Sequence, residues 1–367
     1  MLERIVSVAA AAVVLVACKG GGSSSGGPMS DPSSGASAPA GDVSLNGSGA
    51  SFPQPLYAKW IDTYQSQEKR TKINYQSVGS GAGIKNISDK TVDFGASDAP
   101  MNDEQLGKAG GKIIHVPMTL GAVVLTYNVP GAPDHLQLTP EVVSGIFLGE
   151  ITTWNDPKIA SLNASAKLPA QKIGVVFRSD GSGTTAVFTD YLSKASPAFR
   201  AKVGTGTSVK WPNGTGANKN DGVAAQIKQT PGSFGYVELA FALQTKQPVV
   251  VLKNKSGKFV EPTLDAITAA AAGAAAKMPE DMRISITDAD GDGAYPISAF
   301  TYILVYEESP DAAKSQALAS FLWWGIHEGQ KLGAPLHYAP LPAEVVTKAE
   351  ARLKLLKGAG KPLLAGK

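Results

Sequence analysis

KIGVVFRSDGSGTTAVFTDYL, residues 172–192, is the stretch from which the rest of the chain is read. Its opening run, Lys172 to Phe177, is rich in β-branched and aromatic residues and suits an extended strand. Arg178, Ser179 and Asp180 with the Gly181-Ser182-Gly183 turn interrupt that run, and the segment after Ser182 has a helical composition with a serine in the capping position. Strand, glycine turn and helix in this order form half of a βαβ unit. Outward from it the alternation repeats. KINYQSV (72–78), TVDFGAS (91–97), KIIHVPM (112–118), AVVLTYNV (122–129) and FTYILVY (300–306) read as strands, and the segments after Pro53, Asp103, Thr139 and Asp221 as helices. A long helix is expected from about Pro310 to Gln330 and a last one from about Ala343 to Leu356, while the alanine-rich ITAAAAGAAAKM after Asp265 reads as a space-filling helix. The pattern predicts an α/β fold with mainly parallel sheets.

The chain has 367 residues, enough for two domains of ordinary size, and its net charge of +3 comes from 34 basic and 31 acidic residues. That balance argues against nucleic acid as a partner. A single cysteine leaves no intramolecular disulfide and no multi-cysteine zinc site, and the four scattered histidines offer no metal spacing, so no metal or other cofactor is expected. The cysteine itself lies at the end of an apolar run. Arg4 followed by Ile5 to Val16 reads as a secretory signal peptide over residues 1–18, too short for a permanent span. Leu15-Val16-Ala17-Cys18 resembles a bacterial lipobox, which implies lipidation of Cys18. Residues 19–41, mostly Gly, Ser, Pro and Ala, read as a flexible tether. GSSSG within it matches G-x-S-x-G but has neither the strand before it nor the helix after it that a hydrolase elbow needs.

NGSGASFP (46–53), SVGSGAGI (77–84) and RSDGSGTTAVF (178–188) are three glycine-serine joins that each run into a helix. Free N–H groups at helix starts bind anions, and Ser51, Ser80, Ser182 and Thr184 add hydroxyl donors. No Walker or G-x-G-x-x-G spacing occurs in these joins, which disfavours a nucleotide. Arg178 is the one guanidinium beside such a loop, and its fork suits a tetrahedral oxyanion. Asp98 is the informative acid. Near a bound anion a carboxylate repels its ligand unless the ligand brings a proton, and at neutral pH phosphate keeps a proton whereas sulfate does not.

These stretches, with GSGASFPQPLYAKWIDTY, NDGVAAQIKQTPGSFGYVE and AYPISAFTYIL, resemble the periplasmic phosphate-binding protein family of bacterial phosphate-specific (Pst) ABC transporters, from about Val43 to Pro342. The resemblance implies a two-lobed α/β periplasmic binding protein fold of type II, with hinge strands and the ligand in the interlobe cleft. It implies that residues 42–120 and 294–367 form the first lobe and 121–293 the second. It further implies phosphate contacts from Ser51 (hydroxyl and amide), Phe52 (amide), Ser80, Arg178, Ser182, Gly183 and Thr184, a proton-accepting Asp98, and Asp180 holding Arg178. Ser51 stands where many members have threonine, and Gly81 where many have a second serine. The expected protein is a periplasmic, membrane-tethered lipoprotein and a monomer that passes phosphate to an ABC permease and ATPase complex and catalyses nothing. The rivals are a receptor for another oxyanion and, further off, a serine hydrolase. DADGDG (288–293) imitates a calcium loop, but its twelfth position is Ala299, so a polar turn is expected.

Overall fold

Fifteen consecutive buried residues, Ile113–Tyr127, make one strand that every other part of the sheet is built around. The computed structural model describes residues 42–367; the leader, Cys18 and the tether lie outside the described residues. Strands in chain order are β1 (Val43–Gly49), β2 (Thr71–Ser77), β3 (Phe94–Ser97), β4 (Ile113–Tyr127), β5 (Gln137–Leu138), β6 (Gly174–Arg178), β7 (Thr215–Ala217), β8 (Ser233–Glu238), β9 (Val251–Lys253), β10 (Phe259–Val260) and β11 (Ser298–Tyr306). The main sheet has the order β2-β1-β3-β11-β4-β8-β6-β7, and β5, β9 and β10 form a small sheet beside it.

β4 and β11 lie side by side at the centre of the sheet. Residues 113–122 of β4 pair with β11, and residues 123–127 pair with β8. Two expected strands, at 112–118 and 122–129, are therefore a single one. Thr119, Leu120 and Gly121, which read as a break, stay extended. The irregularity instead lies at Met118, the unpaired extra residue between the Tyr302–Pro117 and Thr301–Thr119 partners. A proline has no N–H for the ladder, so a bulge next to it is the ordinary accommodation. The sheet is also less parallel than the alternation predicts. The β1–β2, β1–β3, β6–β7 and β6–β8 pairs are parallel, but β3–β11, β11–β4 and β4–β8 are antiparallel. Helical crossovers give parallel neighbours within each lobe, whereas one strand leaving and another returning must run in opposite directions.

Two aromatic groups stand out within one continuous hydrophobic core. In the first, Trp60 and Tyr64 of the helix Gln54–Gln67 pack on Phe321 and Trp324 of the helix Ala312–Ile326, and Trp60 Nε1 donates to Gly329 O at 2.7 Å. The expected long helix ends at Ile326, and Glu328–Leu332 continues as a 3-10 turn. In the second, Phe147 meets Phe188, Trp211, Phe234 and Tyr236, its ring centroid 4.8 Å from that of Phe188. Other boundaries shift for local reasons. The TVDFGAS strand begins only at Phe94; just before it Asp93 N donates to Asn46 O, and the Asp93 carboxylate accepts from Asn46 N and the Lys314 ammonium. NGSG of the first join belongs to β1 itself, and the last helix stops at Leu353.

The helix Ser80–Ser88 lies against β1 and β3 closely enough that a Cβ on Gly83 would fall 2.6 Å from both Ala96 O and Gly49 Cα. Both neighbours are backbone and cannot step aside. Gly83→Ala is expected to cost about 2–3 kcal/mol, the upper part of the overpacking range. Denaturant unfolding measures it, and a loss below about 0.5 kcal/mol, the size of an ordinary surface change, would contradict the packing described.

Candidate functional site

The three joins follow the C-terminal ends of β1, β2 and β6, and Asp98 follows β3 directly. Gly49 pairs with Ser77 and with Ala96, so the residues that come next, Ser51-Phe52, Ser80 and Asp98, emerge side by side at one edge of the first lobe. Arg178 ends β6 in the second lobe, and Ser182 caps the helix Gly183–Ala195. Carboxyl ends of parallel strands are where open α/β sheets hold ligands. All eight expected contact residues are buried: Ser51, Phe52, Ser80, Asp98, Arg178, Ser182, Gly183 and Thr184.

The two edges meet. Gly81 N donates to Gly181 O at 2.8 Å across the cleft. A Cβ on Gly183 would lie 2.5 Å from Asp98 Oδ2 and closer still to Ser80 Oγ, so only glycine lets the helix start come up to the carboxyl. Asp98 Oδ1 accepts from Thr301 Oγ1 at 2.9 Å, and Oδ2 sits 3.4 Å from the Ser80 hydroxyl, which in turn accepts from Asp98 N at 3.2 Å. Burial pushes the Asp98 carboxyl up to about 7, against the pull of the Thr301 hydroxyl, the Arg178 charge and the Ser80 hydroxyl. It is the acid whose charge state changes near neutrality.

Arg178 is held rigidly. Nε donates to Asp180 Oδ1 at 2.8 Å and Nη2 to Oδ2 at 2.5 Å, while Nη1 reaches Thr184 Oγ1 at 3.2 Å. Burial alone would raise the Asp180 carboxyl, but the bidentate Arg178 contact and the Lys219 amide hold it below the usual carboxylate range. The pair is close to neutral as a unit, and two of the five guanidinium N–H groups remain for a ligand. Ser182 Oγ accepts from Thr185 N at 3.0 Å and its own amide donates to Thr207 O, so its contribution is the hydroxyl hydrogen. The amides of Gly183 and Thr184 lie in the first helical turn, before intrahelical bonding begins. Backbone and hydroxyl donors thus converge on one carboxyl acceptor.

Sequence reasoning did not find Thr301, Asn220, Tyr338 or Glu238. Asn220, fully buried, donates through Nδ2 to Ser51 Oγ at 3.1 Å and Thr184 Oγ1 at 3.2 Å. Tyr338 OH donates to Phe52 O at 2.7 Å and lies 3.1 Å from Glu238 Oε2. A phenol has one hydrogen, and a carbonyl can only accept, so the second contact is a hydrogen bond only if Glu238 supplies the proton. Burial pushes the Glu238 carboxyl well up, which agrees with that geometry. The turn at 288–293 carries Asn254 Nδ2 bonded to the carbonyls of Gly291, Asp292 and Ala294. Among the described residues no group of three or more His, Cys, Asp or Glu side chains is placed to hold a metal ion.

A sequence profile of the PBP superfamily domain matches residues 34–326. The phosphate-binding protein PstS of Xylella fastidiosa is 45% identical over 310 residues, 84% of this chain and 84% of that protein. PstS of Methanocaldococcus jannaschii is 41% identical over 331 residues, 83% and 84% of the two chains. Among solved structures, a high affinity periplasmic phosphate-binding protein bound with phosphate superposes with a TM-score of 0.67 at 22% identity, covering 88% of this chain and 100% of that one. A phosphate-binding protein from Stenotrophomonas maltophilia gives 0.66 at 19%, covering 84% and 93%. The structural likenesses carry the two-lobed fold, and the sequence identities carry the kinship: the chain belongs to the PBP superfamily and, within it, to the family of the PstS proteins.

Proposed function

We propose that this chain captures inorganic phosphate outside the inner membrane and delivers it to an ABC permease and ATPase complex. The observation that carries the reading is the buried Asp98, a lone acceptor facing a set of donors whose cation, Arg178, is already matched by Asp180. A fully ionised tetrahedral anion meets a carboxylate there with nothing to offer it. Phosphate brings a proton that Asp98 accepts, while its other oxygens take up N–H and O–H groups. The names of the PstS relatives point to the same ligand.

In this reading Ser51 donates through hydroxyl and amide, Phe52 through its amide, and Ser80, Ser182, Gly183 and Thr184 complete the shell with Arg178. Residues 42–120 and 294–367 act as one lobe and 121–293 as the other. The exchange of β4's partner between Ala122 and Val123 supports a hinge there. Lipidated Cys18 and the tether keep a monomer at the membrane surface. Among the described residues no helix is long and apolar enough to cross a membrane. Retention rather than hydrolysis is favoured because Ser80 Oγ is engaged with Asp98 and Ser182 Oγ with a backbone amide, and neither hydroxyl is paired with an imidazole base.

Calorimetric titration tests both charged residues. At pH 8 phosphate is expected to bind one to one and sulfate not at all. Below a carboxyl pKa of about 7 Asp98 holds a proton and can donate it to sulfate, so sulfate affinity should rise as pH falls through that value. Asp98→Asn should bind sulfate with no such pH dependence. Sulfate affinity that is flat with pH in the unsubstituted protein, together with no sulfate binding in Asp98→Asn, would remove the proton-acceptor role. Arg178→Ala should weaken phosphate by about 10- to 100-fold, the worth of a hydrogen bond to a charged group. An unchanged dissociation constant would contradict the Arg178 assignment.

A further inference from the structure

Three of the four side-chain hydrogen-bonding valences of Asn220 are assigned. Its amide orientation follows from a neighbour that can only donate: Glu238 N lies 3.1 Å from Oδ1, so the oxygen faces the backbone and Nδ2 faces the cleft. The two Nδ2 hydrogens go to Ser51 Oγ at 3.1 Å and Thr184 Oγ1 at 3.2 Å. Thr184 Oγ1 also receives Arg178 Nη1 at 3.2 Å, which fills both lone pairs and leaves only its hydrogen. Ser51 Oγ accepts from Asn220 alone and keeps a second lone pair, and neither hydroxyl hydrogen is engaged with a protein acceptor among the described residues.

The backbone is bent to bring this side chain in. Lys219, immediately before it, has φ 59, a left-handed conformation that costs a non-glycine residue free energy and is held here by its amide bonded to Asp180 Oδ1 at 2.9 Å. Asp180 therefore serves two groups at once, the guanidinium of Arg178 and the turn that aims Asn220.

We infer that Asn220 is a positioning residue that turns the Ser51 and Thr184 hydroxyl hydrogens toward the ligand, leaving Thr184 only a hydrogen to offer and occupying one of the two lone pairs of Ser51. The inference rests on the phosphate reading of the cleft and adds a second part to its selectivity. Without the amide, each hydroxyl can rotate and accept, and the site tolerates a ligand proton in more than one place. With it, Thr184 cannot accept the ligand's proton and Ser51 is biased toward donating, so that proton is directed to Asp98. Ser51 belongs to the first lobe and Asn220 to the second, so the Ser51 hydroxyl receives its direction from across the cleft.

The test is calorimetric titration of the full chain with inorganic phosphate between pH 6 and 9. Asn220→Asp keeps the shape and the acceptor for Glu238 N but offers no N–H, so the two hydroxyls turn their hydrogens to it and away from phosphate. Affinity at pH 8 should fall by about 10- to 100-fold. Asn220→Ala should lose less, because it leaves the hydroxyls free rather than misdirected. The Asn220→Asp deficit should narrow as pH falls and the introduced carboxyl takes a proton it can donate. The ionisable groups around that position are Arg178 and Asp180 on the β6 loop, Glu238 after β8, Asp98 across the cleft, and Lys219 and Asp221 on its own helix. All of them are common to both proteins, so the difference between the two pH profiles isolates the substituted side chain. In a Ser51→Ala, Thr184→Val background Asn220→Ala should cost no more than about twofold, whereas Asn220→Asp keeps the penalty of a carboxylate beside the anion. Equal, pH-independent losses for Asp and Ala, or an undiminished cost of Asn220→Ala in that background, would reduce Asn220 to a packing role and overturn the inference. If Asn220→Asp does not fold, the Asn220→Ala cycle in the same background distinguishes positioning from packing. Absence of phosphate binding by the unsubstituted chain would remove the phosphate reading itself, and this inference with it.

Discussion

One carboxylate, Asp180, ties together the parts of the cleft that belong to the second lobe. It takes Nε and Nη2 of Arg178 in a bidentate contact and also the amide of Lys219. The first contact cancels most of the charge that Arg178 brings to the cleft; the second turns the chain so that Asn220 reaches Ser51 and Thr184. An unmatched buried guanidinium would attract any anion indiscriminately. Matched, it contributes directional N–H groups while the field stays near neutral, and selectivity then passes to hydrogen-bond polarity. That polarity is lopsided. The proposed shell consists of donors apart from Asp98, whose carboxyl is raised by burial to about 7, and in this reading a proton on the ligand decides the outcome.

The fold places these groups through a shared sheet. β1, β2 and β3 end together because they are parallel neighbours, and β6 ends opposite them because β4 carries the sheet from one lobe into the next. The crossing is packed from both sides. A Cβ on Gly121 would strike the Phe52 ring at 2.5 Å, and Tyr338 OH lies between Phe52 O and the Glu238 carboxyl. Phe52, the strand β4 and the segment around Tyr338 are thereby in one contact, the kind of coupling that the proposed closing of the cleft requires.

Much of this is legible locally. Strand, glycine turn and serine-capped helix are short-range signals, and they give the α/β class and the three joins without any knowledge of contacts. What the sequence hides is set by distance along the chain. Gly121 looks like a strand break because its reason, the Phe52 ring, lies elsewhere. Asn220 sits in NKNDG, which reads as an ordinary helix start; its partners Ser51 and Glu238 are 169 and 18 residues away. Thr301, the best hydrogen-bond partner of Asp98, is 203 residues from it. The antiparallel centre of the sheet is likewise a property of the crossing and not of any strand's composition.

The most direct measurement is a high-resolution structure of the protein crystallised with phosphate at neutral pH. The account predicts an anion enclosed between Ser51, Ser80 and Asp98 on one side and Arg178 with Ser182 to Thr184 on the other. One phosphate oxygen should lie about 2.5–2.7 Å from an Asp98 carboxyl oxygen, the separation of a charge-assisted O–H···O bond. Phosphate seated elsewhere, or seated in the cleft with Asp98 turned away from it, would contradict the account.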